Sequence, residues 1–167
     1  LTMSGSASDG TDYTSITQIS IANGQSTGTV ALTVSSDSLF ENNETATATL
    51  GTLPTGVTAG TSTTADIVIT DDPADAVTVE LTASDATAAE AGSDPGEFTA
   101  TLSSTNNTGA AIVIPLTMSG SASDGTDYTS ITEISIANGQ STGTVALTVS
   151  SDSLFENNET ATATLGT

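Results

Sequence analysis

An all-β fold, an Ig-like antiparallel β-sandwich in tandem repeats with a 115-residue period, is predicted by three observations. Short runs of Val, Ile, Leu and Ala alternate with Ser and Thr and are punctuated by turn residues, and nowhere is a 3.6-residue apolar period sustained. Residues 1–52 recur at 116–167, an offset of 115, with one difference, Gln18 against Glu133. A period of that length is too long for a solenoid unit and suits an independently folding domain. Composition agrees: hydrophobic residues make up 35% of the chain and aromatics only 3%, so the core must be built of small aliphatics. Ser and Thr supply about a third of the residues, and Thr suits the solvated face of a strand.

The elements follow in order from residue 69. In ITDDPADAVTVE, residues 69–80, Pro73 interrupts a strand pattern because it has no N–H for a ladder, and a new alternation starts at Val77. The expected division is therefore residues 1–72 as the C-terminal part of one repeat, 73–75 as a linker, and 76–167 as the N-terminal part of the next, its last strand missing. Val77, Val79 and Leu81 mark a first strand, and Phe98, Ala100 and Leu102 a second. Ile112, Ile114, Leu116 and Met118 share one face of a third. Ile131, Ile134 and Ile136 lead into Asn138-Gly139, a strong hairpin signal. Val145, Leu147 and Val149 alternate next, then Ala161, Ala163 and Leu165; the closing strand is seen only in the first copy, around Ile67 and Ile69. Seven or so short strands in about 100 residues describe a sandwich. The linker Pro73-Ala74-Asp75 reaches only about 10 Å. Residues 76–115 are thus not expected to fold back onto 1–72, and the missing strands are expected from the continuing array or a neighbouring copy of the chain.

Charge narrows the function classes. The chain has 12 Asp and 8 Glu and no Lys, Arg or His. Phosphate contact needs Lys or Arg, so nucleic-acid binding is excluded, and attraction to an anionic membrane fails for the same reason. With no His, Cys or Lys there is no ordinary nucleophile or base, and an enzyme is not expected. No apolar run approaches the ~20 residues that span a membrane. The acids cluster in loops and at strand ends. SDGTDY holds Asp9 and Asp12, and again Asp124 and Asp127; SSDSLFENNET holds Asp37, Glu41 and Glu44, and again Asp152, Glu156 and Glu159. ITDD ends a strand with Asp71 and Asp72, and Glu90 lies in AAEAGSDPGEF. Carboxylates crowded to ~4 Å repel by roughly 4 kcal/mol per pair at a surface-like dielectric. Hard divalent cations are their natural counter-charge, and calcium accepts six to eight oxygens in irregular geometry. The competing reading is that acidic loops only keep an array soluble and apart.

The order GTDY, then a hairpin, then SDSLFENNET, then a closing ITDD, together with AEAGSDPGEFT, is similar to the Calx-beta domain family. The resemblance covers nearly the whole chain once one repeat is assembled from both copies. It implies an Ig-like sandwich with calcium ions clustered at one end. The ligands it implies are Glu90, Asp12 and Asp127, the loop acids Asp37, Glu41, Glu44, Asp152, Glu156 and Glu159, and the pair Asp71 and Asp72. Where the family often has a leading Asp in the loop, this chain has Ser36 and Ser151, and its closing acidic run ends at Pro73, so fewer ions are expected. The expected function is a calcium-binding structural repeat, a stalk or filament unit of a large extracellular or cell-surface bacterial protein, whose partners are calcium ions and adjacent repeats or copies. An adhesive module recognising carbohydrate is the first alternative, although the few aromatics speak against it. A calcium-sensing regulatory domain is the second.

Overall fold

The computed structural model describes residues 1–91, 93–153, 155 and 157–166. Two compact units are present: Leu1–Ser38 with Asn42–Asp75, and Ala76–Thr167 with the short segment Leu39–Glu41.

In the first unit β1 (Thr2–Gly5), β2 (Glu44–Thr49) and β3 (Thr64–Ile69) form one antiparallel sheet in that order. Thr2 stands opposite Thr49, and Glu44 opposite Ile69. The Ala/Thr alternation of β2 turns Ala46 inward, where it meets Ala7 and Tyr13, with Met3, Leu32 and Ile69 packed around them. This core is small. After β3, Pro73–Asp75 makes a single 3-10 turn: the Asp72 carboxylate accepts from Ala74 N at 2.9 Å, and Asp72 O accepts from Asp75 N at 2.9 Å. An Asp before Pro is a natural start for such a turn.

The second unit is the fuller one. Its strands are β4 (Val79–Asp85), β5 (Gly96–Leu102), β6 (Ile112–Gly120), β7 (Glu133–Ile136), β8 (Thr142–Leu147) and β9 (Ala161–Leu165). They form two three-stranded antiparallel sheets, β4-β5-β8 and β7-β6-β9. The inward residues of the two sheets make the sandwich core of Ala100, Leu102, Leu116, Ile131, Ile134 and Ile136, with Val79, Leu81 and Phe98 beside it. Every member was marked by the sequence alternation. Nine-residue β6 serves two partners: Ile112–Pro115 pair with β7, and Leu116–Gly120 with β9.

One expectation is corrected. Asn138-Gly139 does form a tight turn, with Gly139 at φ 81° and Gln140 N donating to Ala137 O at 3.1 Å. It does not make a hairpin, because β7 pairs with β6 while β8 pairs with β5, in the other sheet. The turn is a corner between layers. Gly143 explains how the strands pass so closely: a Cβ there would lie 2.3 Å from Ser135 O. Beneath the corner sits Asn106, fully buried, whose amide donates to Ala110 O at 2.8 Å and Ile136 O at 3.0 Å.

Candidate metal centre

Each GTDY segment builds the same turn. Gly10 N donates to Tyr13 O at 3.0 Å and Asp12 N to Ser8 O at 3.0 Å; in the second copy Gly125 N donates to Tyr128 O at 3.0 Å and Asp127 N to Ser123 O at 2.9 Å. The Asp12 carboxylate accepts from Ser8 N at 2.5 Å, and that of Asp127 from Ser123 N at 2.6 Å. Each carboxylate is thus held by one oxygen to its own turn. The following tyrosines, Tyr13 and Tyr128, are buried and anchor the turn to the core. Burial, and then the neighbouring Asp9 and Asp12, push the Tyr13 hydroxyl above its ordinary pKa; burial, Asp124 and Asp127 do the same to Tyr128. The Tyr13 hydroxyl is buried without a hydrogen-bond partner.

Asp12, Glu41 and Glu44 converge. One carboxylate oxygen from each lies within 4.8 Å of the others, and all three residues are half-buried. At that separation and an effective dielectric of about 20, like charges repel by about 3.5 kcal/mol per pair. The chain has no cationic side chain to relieve this. An all-oxygen, all-carboxylate donor set fits a hard divalent cation, calcium first. In the second unit Glu90, Asp127 and Glu159 line a single open cleft of 690 Å³, together with Asp85 and Glu97.

The remaining acids divide. Asp37, Asp71 and Asp72 surround Asp75: burial first, then these three charges, raise the Asp75 carboxyl above the usual carboxylate range. Asp75, in the linker, belongs to none of the acidic clusters that the sequence marks. The signal was its position three residues after Asp72, since one 3-10 turn brings such a pair to the same side. Asp152 is exposed, and Glu156 lies outside the described residues.

A family model for the Calx-beta domain matches residues 1–73 and, a second time, 72–167. The chain belongs to the Calx-beta domain family. The two matches make it a tandem of Calx-beta repeats, all-β and sandwich-like. No curated protein matches it. Calx-beta domains are associated with calcium binding and are structural or binding modules rather than enzymes. The carboxylates of Asp12, Glu41 and Glu44 are chemically suited to that ion. Among the described residues, no helix is long and apolar enough to cross a membrane.

Proposed function

We propose that this tandem is a calcium-binding structural unit, a stalk or filament element of a large extracellular or cell-surface bacterial protein. The observation that carries the proposal is the convergence of Asp12, Glu41 and Glu44 in a chain without a single cationic side chain. Calcium there would supply the positive charge that the chain lacks. It would also tie the turn bearing Asp12 to Glu41 and to Glu44 at the start of β2. We assign Asp127, Glu156 and Glu159 the same roles in the second repeat, with Glu90 added from its opening strands. Asp37, Asp71 and Asp72 form the second ligand group of the first repeat, and Asp152 the counterpart of Asp37. The repeats divide as 1–72 and 76–167, with 73–75 as the connecting linker, and Asp71 and Asp72 stand directly before it in sequence. Calcium held by these residues would stiffen each repeat and limit bending at the linker. Adjacent repeats or copies are the macromolecular partners.

Titration calorimetry with calcium, and melting and small-angle scattering with and without chelator, test this. Binding heat, a higher melting temperature with calcium, and loss of both in Glu41→Gln/Glu44→Gln are expected. No heat at millimolar calcium, with unchanged melting and unchanged dimensions, overturns it. Affinity separates a stalk from a sensor, since extracellular modules work at 10⁻⁴–10⁻³ M and sensors in the range of about 10⁻⁷–10⁻⁵ M.

A further inference from the structure

Three stretches carry the acceptor pattern for an N-linked glycan, an Asn followed two residues on by Thr: Asn43-Glu44-Thr45, Asn106-Asn107-Thr108 and Asn158-Glu159-Thr160. The first and third are one motif in the two copies of the repeat. The structure sets them apart from the second. Asn106 is 0% exposed, its amide nitrogen donates to Ala110 O and Ile136 O, and its oxygen accepts from the Thr108 hydroxyl at 2.8 Å. That nitrogen is closed to any reagent once the unit has folded.

Asn43 and Asn158 are exposed. Asn43 lies just outside the β2–β3 ladder, whose first pair is Glu44 with Ile69. Thr45 follows on the face of β2 opposite to buried Ala46, because successive strand residues point to opposite sides. In the second copy Asn158, Glu159 and Thr160 all precede β9, which starts at Ala161. The two motifs are anchored alike: Thr45 N donates to Ser6 Oγ at 2.9 Å, and Thr160 N to Ser121 Oγ at 3.0 Å. The preceding residues separate the three in the same way. Glu41 and Glu156 stand two places before Asn43 and Asn158, whereas Ser104 stands there before Asn106. An acid at that place is what bacterial oligosaccharyltransferases read in addition to the Asn and Thr. Exposure and charge thus select the same two sites.

We infer that Asn43 and Asn158 are acceptors for an N-linked glycan, taken from a lipid-linked oligosaccharide diphosphate. In the transfer Asn43 Nδ2 bonds to the anomeric carbon of the sugar. The bond from that carbon to the diphosphate oxygen breaks, the lipid diphosphate leaves with the electron pair, and one amide proton passes to a base of the transferase. Glu41 touches neither reacting atom and is a positioning residue. The inference rests on the extracellular bacterial reading above, since such donors and transferases act at the outer face of a membrane. It does not depend on calcium.

Export of the full chain in cells that carry a bacterial oligosaccharyltransferase and its lipid-linked glycan tests it, read by intact mass and fragmentation. Two glycans are expected, on Asn43 and Asn158, and none on Asn106. Asn43→Gln and Asn158→Gln each remove one. Glu41→Gln removes the glycan from Asn43 and leaves that on Asn158, which shows that the variant is still folded and exported, and Glu41→Asp restores it. Glu44→Gln also takes away a candidate calcium ligand but keeps the acid at position 41, so its glycan stays; this separates the assignment from the calcium reading, which calorimetry tests. An unmodified chain, in cells where a standard acceptor protein is glycosylated, overturns the inference. So does a glycan on Asn106, or one on Asn43 that survives Glu41→Gln.

Discussion

Truncating the same isoleucine in each copy of the repeat separates the effect of sequence from that of environment. Ile134 is 1% exposed, between the sheets of the second unit, while Ile19, its counterpart, is 46% exposed. Buried Ile→Ala costs about 2–5 kcal/mol from lost transfer energy and the cavity left behind. For Ile134→Ala we take about 3 kcal/mol, a little over two decades in an opening constant. Ile19 has lost only about half of its contact with water, and the open site relaxes without leaving a cavity. Ile19→Ala should therefore cost less than about 1 kcal/mol. Hydrogen exchange followed by mass spectrometry reads the two units separately, because Gly96–Leu102 occurs only in the second and Thr64–Ile69 only in the first. The expected outcome is a loss of protection in β5 for Ile134→Ala and little change in β3 for Ile19→Ala. Equal losses in the two units would refute the claim that partner strands, rather than local sequence, bury this position.

Three further outcomes are expected. Tyr13→Phe removes a buried hydroxyl that has no partner, so thermal stability should stay level or rise by about 1 kcal/mol; a clear fall would show that the hydroxyl is bonded in solution. Asn106→Ala leaves the carbonyls of Ala110 and Ile136 without the amide donor and should cost the second unit about 3 kcal/mol by denaturant titration, whereas a loss under 1 kcal/mol would contradict the buried network. The Asp75 carboxyl is raised, so the folded state keeps its proton to a higher pH than the unfolded state, and stability falls as pH rises through that window. In the absence of divalent cations, lowering the pH from neutrality towards the ordinary carboxylate value of 3.8 should then raise protection in β3, measured relative to the intrinsic exchange rate at each pH, and Asp75→Asn should remove that gain. Protection that only falls on acidification would refute the reasoning.

Much of the candidate centre was legible in the chain. Asp12 in its turn, Glu41 in the loop before β2 and Glu44 at the start of β2 have a spacing that resembles the family pattern, and the structure brings their oxygens together. Asp75 was not legible. It lies beyond a proline that ended the strand pattern, and only the 3-10 turn returns it towards Asp71 and Asp72. The partition of the second unit into two sheets was also hidden, because Asn-Gly serves a corner between layers as readily as a hairpin. What differs is the pairing on either side of it.

The internal duplication shows where the division lies. Features closed by residues that both copies contain are the same in both: the SDGTDY turn, the Asn-Gly corner, and the register in which Thr2 meets Thr49 as Thr117 meets Thr164. These the sequence determined by itself, since each needs only residues that both copies contain. Whether QISI or EISI and TGTVAL become strands was decided by tertiary structure alone. A strand's hydrogen bonds lie outside it, and half of its burial comes from the opposite sheet. With β4, β5 and the first half of β6 present, the isoleucines are buried; without them the same residues remain in water.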